Sequence, residues 1–142
     1  MYEPSPKHSR LTKKVSRLLS EWMPFCPFLW EWQITVKAVE KVHDEIDACL
    51  AVEYAEYNMS ANILVGLDAL ELSDYELEEG LLHEICHIFM HEVSMVFNNE
   101  LKTLGGNPKY EHSAWQDAEE RACWRFARMH MLRKTNENKN RN

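Results

Sequence analysis

Apolar positions fall into six runs separated by polar stretches, some with helical period and some with the period of a strand. From Arg10 to Trp22 the residues Leu11, Val15, Leu18, Leu19 and Trp22 recur at helical spacing. Pro24 and Pro27 close that helix. Trp32–Val39 (WQITVKAV) then alternates with period two, as a half-buried strand does. Glu45-Ile46-Asp47 reads as a turn. Ala48–Tyr57 and Ala61–Leu67 supply two further strand candidates.

Two helices complete the pattern. Ser73-Asp74-Tyr75-Glu76 has the form of a capping box, a serine hydroxyl with a glutamate three residues on. Asp74, Glu76, Glu78 and Glu79 place negative charge on the positive end of that helix, which is expected to run to about Glu92 or slightly beyond. Gly105-Gly106-Asn107-Pro108 marks a loop over 98–109, and a last helix is expected from about Ser113 to Arg133. The ends, residues 1–9 and 135–142, read as flexible tails. The sum is a single α+β domain spanning 1–142: an amino-terminal helix, a small three-stranded, mostly antiparallel sheet, and two helices.

The second helix contains His83-Glu84-Ile85-Cys86-His87. Residues i and i+4 of a helix stand one above the other, so the two imidazoles project from one face and can share one metal ion. Leu81, Ile85, Ile88 and Phe89 lie on roughly the opposite side, where they would anchor the helix in the core. Glu84 is rotated by about 100° from His83, beside a bound ion, where a base can take a proton from water. Zinc with three protein ligands keeps a position for water, brings its pKa towards neutrality and polarises a carbonyl. A helical HExxH is a signature of that arrangement.

The third ligand must come from elsewhere. The sixth residue after His87 is Val93, which excludes the metzincin pattern, and His91, at i+8 from His83, turns off the ligand face. A glutamate on the following helix would give a His₂Glu set. Asp117-Ala118-Glu119-Glu120-Arg121-Ala122-Cys123-Trp124-Arg125-Phe126-Ala127 offers two. Helical geometry leans towards Glu119, which shares a face with Ala122, Cys123, Phe126 and His130.

HEICH followed by a helix of the form E-x-x-A-x-x-F-A resembles the glutamate-type zincins (gluzincins). Among them it is most similar to the small ImmA/IrrE-like peptidases and related phage-encoded metallopeptidases. The likeness covers the second half of the chain by its motifs and the first half by the order of helix and strands. Trp124 departs from it, standing where such families frequently carry a small polar residue. The resemblance implies a minimal zincin fold and one zinc ion per chain. In its register the liganding glutamate lies six residues before the aromatic of the "FA" pair, which is Glu120; Glu119 stays open as the alternative. It also implies an edge strand that pairs with an extended peptide, for which Asn62–Gly66 is the candidate. An oxyanion stabiliser is expected as well, and Tyr110 and His112 lie on the approach to the ligand helix.

Composition adjusts this picture only slightly. Over 142 residues, 45% are hydrophobic and 27% charged, an ordinary globular mix. The net charge of −7 opposes long-range attraction to nucleic acid or an anionic membrane. The four cysteines form no CxxC pair, which leaves a zinc ribbon or thioredoxin motif unsupported. No run reaches the ~18 apolar residues of a spanning helix, and no signal-peptide pattern opens the chain. The expectation is a cytoplasmic zinc metallopeptidase acting on peptide or protein: His83, His87 and Glu120 on the metal, Glu84 as general base. The alternative is a binding or regulatory module on the same scaffold without turnover.

Overall fold

The computed structural model describes residues 4–42, 48–55, 59–105 and 108–142, except the side chains at 98, 101 and 108–114. The turn expected at 45–47 lies outside the described residues. Helix α1 spans Pro6–Trp22, strand β1 Gln33–Val39, β2 Leu50–Ala55, β3 Ser60–Gly66, helix α2 Asp74–Thr103 and helix α3 Pro108–Arg141. Short 3₁₀ turns cover Met23–Phe25, Pro27–Glu31 and Leu67–Glu71.

Every helix is longer than its apolar period indicated, and each extension has a local cause. Ser5 caps α1, its Oγ accepting from the backbone N–H of His8, and Pro6 occupies the first helical position, so residues 6–9 belong to the helix. The capping box of α2 forms as expected: Glu76 N–H donates to Ser73 Oγ and Ser73 N–H to a Glu76 carboxylate oxygen. That helix then continues through half of the expected loop and stops just before Gly105, which takes a φ of +69°. The expected tail at 135–142 is helical to Arg141. No Gly or Pro follows Pro108, and Thr135 Oγ1 bonds the carbonyl of Met131 while Arg133 pairs with Glu137. Among the described residues no helix is long and apolar enough to cross a membrane.

The sheet is mixed, which corrects the mostly antiparallel expectation. Its order is β1-β3-β2; β1 runs parallel to β3 and β2 antiparallel to it. Burial accounts for the order. From Ile63 to Gly66 strand β3 is buried without alternation, as a central strand must be, while β1 and β2 alternate as half-exposed edges do. Asn62–Gly66 therefore cannot take up a peptide strand, because both of its edges are already paired. Among the described residues, the unpaired edge beside α2 belongs to β2.

Register sorts the side chains into rows. Ile34–Ala61–Tyr54, Val36–Ile63–Val52 and Ala38–Val65–Leu50 share the face that joins the core. Leu11, Val15, Leu18, Leu19 and Trp22 of α1 and Leu77, Leu81, Ile85 and Ile88 of α2 cover it. Phe89 departs from its expected place: it is half exposed and leans on Phe28 with ring centroids 4.9 Å apart.

Candidate metal centre

Helices α2 and α3 form an antiparallel hairpin, and its register assembles the site. Contacts step along the pair as Trp115–Ser94, Glu119–His87, Glu120–His83 and Arg128–Glu79. Cys123, Ala127 and Met131 recur every fourth residue and bury the α3 stripe that fixes this register. Glu119, one turn before Cys123, continues that stripe. Cys86 and Cys123 are buried, and all four cysteines are free.

At the middle of the hairpin the ligand atoms of His83, His87 and Glu120 lie within 4.8 Å of one another. The two Nε2 atoms are 3.0 Å apart; Glu120 places one oxygen 3.0 Å from His83 Nε2 and the other 2.8 Å from His87 Nε2. Tetrahedral coordination at ~2.0–2.2 Å spaces ligand atoms by roughly 3.3–3.6 Å. A dication is thus accommodated if the three donors open by a few tenths of an ångström. Two imidazole nitrogens and a carboxylate oxygen are also a donor set that suits zinc. His83 Nδ1 is buried with no hydrogen-bond partner.

Glu119 takes a different place. Its Oε1 is 3.1 Å from His87 Nδ1, and its other oxygen accepts from Ser94 Oγ, which in turn accepts from Trp115 Nε1–H. A carboxylate on Nδ1 fixes the ring and its tautomer and leaves Nε2 for a metal. The geometry therefore separates the two adjacent glutamates: Glu120 at the Nε2 atoms, Glu119 behind His87.

Electrostatics follow from the same contacts. Burial lowers the His87 pKa, but the Glu119 hydrogen bond and the charges of Glu84, Glu120 and Glu119 outweigh it and raise the value to about 9. His83 is held below the usual histidine range by burial, with Glu120 opposing and His87 adding to the effect. Glu84 is raised to about 7, chiefly by burial; Glu120 adds to this and His87 opposes it. A carboxylate near neutrality can both accept and return a proton at physiological pH.

These groups line a groove of about 930 Å³ whose other wall is β2 and the residues just before it. Trp124 packs over His83 with centroids 4.1 Å apart. Tyr110 and His112, the expected oxyanion donors, sit in the first turns of α3, and their side chains lie outside the described residues. Three contributors escaped the sequence reading: Ser94, Trp115 and Tyr54. Ser94, seven residues after His87, does share its helical face, a signal available in the sequence. A comparison with protein-family models, with curated proteins and with solved structures found no match to this chain.

Proposed function

We propose that the protein is a zinc-dependent hydrolase of peptide bonds. The observation that carries this reading is the convergence of His83 Nε2, His87 Nε2 and the Glu120 carboxylate, with Glu84 on the same groove. A zinc ion held by those three residues supplies a Lewis acid for the substrate carbonyl and lowers the pKa of water in the groove.

The chain's own residues do the rest. Glu119 keeps the His87 ring oriented through Nδ1. Glu84 takes the proton of the attacking water and hands it to the departing amine. The free edge of β2 offers backbone groups to an extended peptide, the part first assigned to Asn62–Gly66. Peptide is the substrate class that such an edge favours.

Elemental analysis of the purified protein should find about one zinc per chain. The zinc-loaded protein should cleave fluorescein-labelled casein, and Glu84→Gln should keep the zinc while losing ~10²–10⁴-fold in turnover. Turnover undiminished in Glu84→Gln would refute the assignment of the base. Zinc binding with no turnover in the wild type would favour the docking module.

A further inference from the structure

One hydrogen-bond donor in the groove has no part in the scheme above. Tyr54 lies on β2, in the row Ile34–Ala61–Tyr54, so its ring points to the helix-covered face of the sheet at the free edge. It stacks on His91, one turn beyond His87, with centroids 3.8 Å apart and 17° between planes. Trp32 meets both rings edge-on, 6.2 Å from Tyr54 and 5.9 Å from His91. Trp32, just before β1, and His91 of α2 thus clamp the phenol from two directions.

The hydroxyl of this clamped ring is uncommitted: no hydrogen bond to it is formed by any described residue. The other hydroxyl lining the groove, Ser94, already donates to Glu119 and accepts from Trp115. Burial, and after it the charges of Glu119 and Glu84, push the Tyr54 pKa well above that of a free phenol. The O–H therefore stays protonated at neutral pH, and the phenol lines the same groove as Glu84 and Glu119. A rigid, protonated donor beside the reacting groups meets the requirement for stabilising charge that appears only in the transition state.

We infer that Tyr54 is the oxyanion donor of this centre, its phenolic O–H bonding the oxygen that becomes negative when water adds to the substrate carbonyl. The inference rests on the hydrolytic reading. In the step, the water oxygen bonds the carbonyl carbon, the C=O π pair moves onto oxygen, and Glu84 receives the water proton. On collapse the C–N bond breaks and that proton passes from Glu84 to the amine nitrogen. Tyr54 donates a hydrogen bond throughout and keeps its proton.

Tyr54→Phe tests this cleanly, because it preserves the ring stack and deletes one oxygen. Binding of methylphosphonate, whose tetrahedral anionic oxygens imitate the oxyanion, is measured calorimetrically on the zinc-loaded proteins. Its Kd should rise at least about tenfold in Tyr54→Phe, with zinc stoichiometry and Tm unchanged, and casein kcat should fall about 10²-fold at constant KM. Equal methylphosphonate affinity, no methylphosphonate binding to the wild type, or loss of zinc from Tyr54→Phe would each overturn the assignment. Glu84→Gln separates the two readings, since it should lose ~10²–10⁴-fold in turnover yet retain methylphosphonate binding that depends on Tyr54. A wild type that binds methylphosphonate through Tyr54 but never cleaves casein would sink hydrolysis and support the donor.

Discussion

Replacing Glu119 with glutamine should weaken zinc binding by about ten- to a hundredfold while leaving the site able to fill. The Glu119 and His87 side chains are only 13% and 16% exposed, and the contact between Oε1 and Nδ1 is 3.1 Å. A hydrogen bond to a charged group contributes ~1.5–3 kcal/mol. Loss of an outer carboxylate from a metal-bound histidine costs ~10–100-fold in affinity, or about 1.4–2.8 kcal/mol, so the two estimates agree. Glutamine also sets an amide N–H donor against the Ser94 hydroxyl unless the network turns over, which places the effect in the upper half of that range. Glu120→Ala differs in kind, because it deletes the atoms that meet both Nε2 positions. Stoichiometric zinc binding should be lost. Competition against a chromophoric zinc chelator, starting from EDTA-stripped protein, reads both variants on one scale. Should Glu119→Gln prove as damaging as Glu120→Ala, the division of roles between these neighbours is wrong.

Two further outcomes test the scaffold around the site. Ile85, fully buried in the core on the face of α2 opposite His83 and His87, tests the packing: Ile85→Ala should lower the urea unfolding free energy of the zinc-free protein by about 2–5 kcal/mol, and a loss below about 1 kcal/mol would contradict it. His130 has a buried, unpartnered Nδ1 and sits 5.7 Å from Trp22 and 4.4 Å from Phe126, and burial, with Arg133 adding, lowers its pKa below 6.5. The unfolded chain then binds the proton more readily, so this stability is present above pH 6.5 and is lost as pH falls towards the folded value. Thermal unfolding between pH 7.5 and 5.5 should show the wild-type Tm dropping faster than that of His130→Phe, and parallel slopes would refute the assignment.

The parts of this protein legible in its sequence are those that depend on near neighbours. The capping box begins α2 at the stated residue because its two hydrogen bonds close within four positions. The helix ends that the apolar period leaves out have equally local causes: the Ser-Pro start of α1 precedes its apolar run, and the polar stretch after Arg133 lacks anything to end a helix. Strand order was another matter. A pattern of alternating residues says which face is covered, yet it carries no information on which strand lies beside which. Only the continuous burial of β3 between its neighbours decided that β1 and β2 form the edges.

Sequence alone determined that His83 and His87 share a face with Glu84 beside them, since a helix turns ~100° per residue wherever it lies. Tertiary structure alone placed Glu120 at the two Nε2 atoms and Glu119 at His87 Nδ1, and brought Tyr54 to the groove. Adjacent residues on a helix point ~100° apart, so either glutamate fits the local rules; the choice follows from how Cys123, Ala127 and Met131 seat α3 against α2. Such long-range packing depends on the summed shape of two surfaces, which no short stretch of chain encodes.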